Sequence, residues 1–142
     1  MYFVTLCTID RHGLLWEQVG ATFGRPSETV PLSDIGKIVD AEIQKIGLIY
    51  ENVQINKYII MPNHVHMIIV LHQNESGRPK VAPTISRIVQ QFKGSISKKA
   101  GFCIWQKLFF DRIIRNEKEY RKIWAYIDTN PMTWKLDTYY IP

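Results

Sequence analysis

Two pairs of residues have the types and spacing to do chemistry. The first is His64 and His66, within Met61-Pro62-Asn63-His64-Val65-His66-Met67-Ile68-Ile69-Val70. Side chains alternate along a strand, so the two histidines share one face while Val65 and Met67 take the other. Two imidazoles side by side on a rigid strand are a natural pair of metal ligands. Each disfavours protonation of its neighbour, which keeps both able to coordinate. Such a pair also serves as surface or hydrogen-bonded histidines. The second pair is Tyr126 and Asn130, in Ile123-Trp124-Ala125-Tyr126-Ile127-Asp128-Thr129-Asn130-Pro131. Four apart on a helix, they project from one face, at the edge of an apolar stripe of Tyr120, Ile123, Trp124 and Ile127. A helix docked by that stripe holds both at its seam with whatever it packs on. A tyrosine at such a seam also serves as an amphipathic filler, and an asparagine before proline as a cap or stop.

The elements that must position these pairs follow from pattern. Tyr2 to Ile9 alternates and is rich in β-branched and aromatic residues, which predicts a strand. Asp10 to Pro31 holds Gly13, Gly20, Gly24, Pro26 and Pro31, so it reads as loop, with a short strand around Trp16 to Val19. Ser33 or Asp34 caps a helix whose apolar positions run from Ile35 to Ile49. Val53 to Met61 and Val65 to Leu71 read as a hairpin turning at Pro62-Asn63. After a loop from His72 to Pro83, Thr84 caps a second amphipathic helix carrying Ile85, Ile88, Val89, Phe92 and Ile96. Phe102 to Phe110 is predicted to be another strand. Asn116 then caps a third helix, with Glu119 placed as a capping-box acid and Pro131 as the stop. This order is an α+β pattern, most simply one antiparallel sheet with helices packed on it.

Composition narrows the function classes. The chain has 142 residues, 46% hydrophobic and 22% charged, which suits one globular domain over residues 1–142 and excludes disordered and fibrous folds. No apolar run approaches the roughly 20 residues of a membrane span, and the N-terminus shows no leader pattern, so the expectation is a cytoplasmic protein with no membrane partner. Cys7 and Cys103 lie among apolar residues and read as buried, reduced thiols. Eighteen Lys and Arg against thirteen Asp and Glu give a net charge of +5, which suits a phosphate-bearing partner.

Taken together, the two pairs resemble a known family. His64-Val65-His66 matches the histidine–hydrophobic–histidine (HUH) motif, and Tyr126-Ile127…Asn130-Pro131 matches the nucleophile helix, of the single-tyrosine HUH transposases. The likeness is greatest to the branch called REP-associated tyrosine transposases. Tyr2-Phe3-Val4-Thr5, Met61-Pro62-Asn63 and Trp105-Gln106…Phe110-Asp111-Arg112…Arg115-Asn116 agree with it, so the resemblance runs from about Tyr2 to Pro131.

The resemblance implies a ferredoxin-like (RRM-like) sheet with the tyrosine-bearing helix near the C-terminus. It also implies a metal-dependent endonuclease and strand transferase acting on single-stranded, hairpin-bearing DNA, as a monomer or a homodimer. His64 and His66 would bind Mg²⁺ or Mn²⁺, with Asn130 as third ligand where insertion-sequence members carry a glutamine. Tyr126 would attack a phosphodiester, leaving a 5′-phosphotyrosine and a free 3′-hydroxyl. A phenol titrates near 10, so ionising it at neutral pH costs about 4 kcal/mol, which a metal, substrate positioning and a nearby cation can offset. Lys122, four residues earlier, is the nearest such cation in sequence. Candidate DNA contacts are Arg87, Lys93, Lys98, Lys99, Lys107, Arg112 and Arg115, with Trp105, Trp134 or Tyr139 stacking on bases. Two other readings stay open: a non-catalytic nucleic-acid-binding module on the same fold, and a zinc hydrolase using His64 and His66 with water.

Overall fold

The computed structural model describes residues 1–17, 31–72 and 84–131. Its elements are β1 (Tyr2–Cys7), α1 (Asp34–Ile49), β2 (Val53–Ile60), β3 (His64–Leu71), α2 (Ile85–Ala100), β4 (Phe110–Ile113) and α3 (Glu117–Thr129), with one 3-10 turn at Ile9–Arg11. The strands form one antiparallel sheet in the order β2-β3-β1-β4. That is the expected ferredoxin-like βαββαβ unit, followed by α3. Among the described residues no helix is long and apolar enough to cross a membrane.

The alternation of β1 and β3 separates the two faces of the sheet. Val4, Leu6, Val65, Met67 and Ile69 point to one side, where Val39, Ile43 and Ile46 of α1 and Ile88, Val89, Phe92 and Ile96 of α2 complete the main core. The caps are those foreseen: the Ser33 hydroxyl accepts from the Gly36 amide and Thr84 from Arg87. Glu42 is buried between α1 and α2 and is held below the usual carboxylate range, above all by Lys99, with Ser95 and Lys45 also hydrogen-bonded to it. On the other side Phe3, Ile68 and Ile59 meet Ile114, Tyr120, Ile123 and Ile127 in a smaller cluster, which docks α3.

Four expectations need correction. The stretch from Phe102 to Phe109 is not a strand; β4 starts only at Phe110. Ile104 and Trp105 are adjacent and both buried, and the stretch makes no ladder. The chain here instead forms a single bridge from Trp105 to Thr8. Trp105 is therefore a core residue, 2% exposed, and offers no face to a base. Cys103 is exposed, while Cys7 is buried as expected. Trp16 forms only an isolated bridge to Leu32, and Val19 lies outside the described residues, as do Trp134 and Tyr139.

Two glycines behave oppositely. A Cβ on Gly36 would lie 2.1 Å from the Leu15 carbonyl oxygen, whereas one on Gly94, within α2, would meet nothing within 4 Å. Gly36→Ala is expected to destabilise the fold by about 2–3 kcal/mol through overpacking. Gly94→Ala should stabilise it by about 0.5–1 kcal/mol, because the unfolded chain loses freedom. Urea denaturation of the two variants checks both signs.

Candidate nuclease site

His64 and His66 lie on β3, one of the two inner strands, and both are buried, at 0% and 2% exposed. Their ring centroids are 4.5 Å apart. The register places Thr5 opposite His66 and Cys7 opposite His64. Thr5 Oγ1 lies 2.8 Å from His66 Nδ1, and Phe3 stacks on the same ring with centroids 5.2 Å apart. Asn63 does the corresponding work for His64. Its Nδ2 donates to the Arg11 carbonyl at 3.2 Å, so its Oδ1, 2.8 Å from His64 Nδ1, accepts from that ring. This fixes the tautomer with the lone pair on Nε2. The turn that supplies the Arg11 carbonyl is unusual: Asp10 and Arg11 both have positive φ, 50° and 55°. It is tied down by Thr8, whose hydroxyl lies 2.7 Å from the His12 carbonyl oxygen.

Burial sets the charge of His64. Desolvation, reinforced by the positive charge of Arg11, lowers the His64 pKa to about 3, against the opposing effect of Asn130. His64 is thus a neutral imidazole at any physiological pH. Asn130, 1% exposed, is brought to His64 from the C-terminal cap of α3.

The opposite end of α3 explains why that cap lands there. The Asn116 side chain accepts from the Glu119 amide at 2.8 Å, and the Glu119 carboxylate reaches back to the Arg115 amide and pairs with Arg112 on β4 at 3.2 Å. With its start fixed to β4 and its middle docked through Ile123 and Ile127, α3 carries Tyr126 over the histidines. The Tyr126 ring centroid is 5.3 Å from that of His66 and 6.5 Å from that of Phe3, and the residue is 42% exposed. One chain therefore gathers His64, His66, Tyr126 and Asn130.

The donor set fits a divalent cation. Two imidazoles are donors that first-row divalent metals such as Zn²⁺ and Fe²⁺ favour, and an amide carbonyl is an oxygen donor of the kind Mg²⁺ and Mn²⁺ favour. Both histidines are oriented through Nδ1 by a neighbour, the usual support for a metal-binding imidazole. Among the described residues no group of three His, Cys, Asp or Glu side chains gathers; the amide side chain beside His64 is that of Asn130.

A groove of about 410 Å³ opens beside Tyr126, lined by Phe3, Thr5, Phe110, Asp111, Arg112, Lys122 and Ile123. Of the cations named from the sequence, Arg112 and Lys122 line this groove. Arg115 is exposed just beyond β4. The rest do not gather here, because α2 packs on the opposite face of the sheet. Arg87 and Lys98 are exposed on α2. Lys99 pairs with Glu42. Lys93 donates to the Gln106 and Lys107 carbonyls, and Lys93 and Lys107 line a separate groove of about 280 Å³. Sequence reasoning missed Thr5, Phe3 and Asn63 as supports of the imidazoles. Asn63 was the one visible signal, as the polar residue next to His64; Thr5 and Phe3 needed the strand register.

No protein-family model matches the chain. An uncharacterized protein of Haemophilus influenzae is 28% identical over 159 residues, covering 99% of this chain and 84% of that protein. The REP-associated tyrosine transposase of Escherichia coli K12 is 33% identical over 79 residues, which are 56% of this chain and 44% of that protein. Among solved structures, a REP-associated tyrosine transposase bound to a REP hairpin superimposes with a TM-score of 0.67 at 24% identity, over 93% of this chain and 66% of the other. A candidate transposase from Deinococcus radiodurans R1 gives 0.53 at 15% identity, over 90% and 88%. The chain thus spans less than two thirds of either REP-associated transposase it matches. The resemblance read from the motifs holds in sequence and in architecture: this chain has the fold of a REP-associated tyrosine transposase.

Proposed function

We propose that the chain is a DNA transposase or endonuclease that cleaves and rejoins single-stranded DNA through a 5′-phosphotyrosine. The observation that carries this reading is the convergence, within one chain, of the Tyr126 phenol with two buried imidazoles, of which His64 is held neutral, and the Asn130 amide. His64, His66 and Asn130 would hold Mg²⁺ or Mn²⁺, which when bound polarises a non-bridging phosphate oxygen and fixes the scissile bond. Arg112 and Lys122 bring positive charge to the groove into which Tyr126 faces, where a phosphodiester backbone would lie. The Tyr126 oxygen attacks phosphorus as the P–O3′ bond breaks, so the phenol loses its proton and the departing strand gains one as its 3′-hydroxyl. The phosphotyrosine conserves bond energy, so the reverse attack rejoins strands without a nucleotide cofactor. A hairpin-bearing strand is the substrate of choice, because the solved relative holds a REP hairpin. The gathering of these groups within one chain supports Tyr126 acting in cis.

The first test uses a labelled single-stranded hairpin oligonucleotide and Mn²⁺. The protein should form a protein–DNA adduct that survives denaturing electrophoresis. Tyr126→Phe should lose it entirely while binding the hairpin within about twofold of the parent, since the phenol oxygen is needed only as nucleophile. An adduct retained in the Phe variant removes Tyr126 from the role. Tight hairpin binding by the parent with no adduct in either Mg²⁺ or Mn²⁺ favours the non-catalytic binding module.

The neutral state of His64 has a consequence for stability. Its folded pKa of about 3 lies below the ordinary 6.5, so the unfolded chain takes up the proton first as pH falls. This contribution is complete above pH 6.5 and is lost as pH falls toward 3, by about 1 kcal/mol per pH unit in the steep part. Metal-free protein should therefore show a falling Tm between pH 6.5 and 5, and His64→Gln should flatten that slope. Parallel slopes for the two proteins would contradict the buried neutral imidazole.

A further inference from the structure

The pairing of β2 with β3 slips by one residue at Asn56: Ile55 faces Ile69, but Lys57 faces Ile68. Alternation alone would put Ile55 and Lys57 on the same side of the sheet, and Ile55 packs against the α1–α2 core. The bulge reverses the phase, so Lys57 emerges beside Ile68 and Ile59 beside His66, on the face that α3 covers. Lys57 Nζ lies 2.8 Å from Asp128 Oδ1, both side chains being part-buried, and 3.9 Å from the centroid of the Trp124 ring. Trp124 and Asp128 are one helical turn apart on α3 and flank Tyr126 by two residues on either side.

We infer that Lys57, delivered across the sheet by the bulge at Asn56, is a positioning residue that fixes the roll of α3 and so the placing of the Tyr126 hydroxyl. The inference rests on Tyr126 being the nucleophile. The Glu119–Arg112 pair and Asn130 hold the two ends of α3, and Lys57 adds a polar restraint on roll at the turns that carry Tyr126. The apolar cluster under α3 is small, and hydrophobic contact is non-directional. A tyrosine oxygen stands roughly 9 Å from its helix axis, so a 10° roll displaces it by roughly 1.5 Å, and misplacement on that scale slows a positioned reaction by about a hundredfold. A single ammonium held by a carboxylate on one side and an aromatic face on the other restrains that roll at two points. Both points are within one turn of Tyr126. Lys57 itself touches neither DNA nor the reacting atoms in this account.

The test uses Lys57→Met, which keeps the aliphatic stem, together with Lys57→Arg and Asp128→Asn. Amide hydrogen exchange and single-turnover cleavage of the hairpin in Mn²⁺ are both read. In Lys57→Met, exchange in residues 120–130 should accelerate about tenfold while β1 and β3 amides are unchanged. Adduct formation should slow by about tenfold or more, with hairpin affinity unchanged. Lys57→Arg should recover most of the rate, and Asp128→Asn should add little to Lys57→Met, because both break one contact. Unchanged exchange in α3 would overturn the inference. Faster exchange with an unchanged cleavage rate would also overturn it, leaving Lys57 a structural contact only. If the parent protein forms no adduct, the nucleophile reading fails instead, and the exchange measurement alone decides whether Lys57 holds the helix.

Discussion

The period of two along β3 is the constraint on which this molecule depends. The strand is buried on both faces, and its two sets of side chains have opposite duties. Val65, Met67 and Ile69 fill the main core, while His64 and His66 lie under α3 with Ile68. Because the histidines sit on an inner strand of a four-stranded sheet, their spacing is set by backbone hydrogen bonds to both neighbours. That rigidity keeps two buried imidazoles 4.5 Å apart and aimed, with His64 held neutral by its desolvation. The energetic counterpart is polar support from within the protein: Thr5 across the β1 pairing, Asn63 at the turn, and Asn130 from the helix above.

Much of this could be read from the chain itself. The alternation in Met61 to Val70, the helical spacing in Ile85 to Ile96 and the capping residues Ser33, Thr84 and Asn116 each express a local rule, and each holds. Phe102 to Phe110 failed because apolar residues there satisfy a crossing of the core rather than a ladder, a distinction set by tertiary contacts of Ile104 and Trp105. The site was legible where one element carries two members of it, as with His64 and His66 or Tyr126 and Asn130. It was illegible where membership depends on pairing. Thr5 joins the site only through its register with His66, and Lys57 only through a one-residue slip that composition does not announce.

Charge proved the least transferable signal. A net +5 is real, but α2 presents its lysines on the side of the sheet away from the histidines, and two of them serve the fold: Lys99 neutralises Glu42, and Lys93 caps backbone carbonyls. The positive charge near Tyr126 is smaller and local: Lys122, and Arg112, which is paired to Glu119 and shares the groove with Asp111. A cation at 10 Å or more is screened at physiological salt, so two placed in the groove count for more than several on the far face.

The Asp10–Arg11 turn gives the site a mechanical character. Two successive non-glycine residues in the left-handed region store about 1–2 kcal/mol each. The Asn63 amide spans from that turn to the His64 ring, so the tension in the turn and the bearing of the imidazole are coupled through one side chain. Glycine at both positions would relax the backbone while adding freedom to the unfolded chain, and it would loosen the tether that keeps the ring pointing one way. The bearing of a buried ring is thus tied to the backbone conformation of a turn remote from it in sequence.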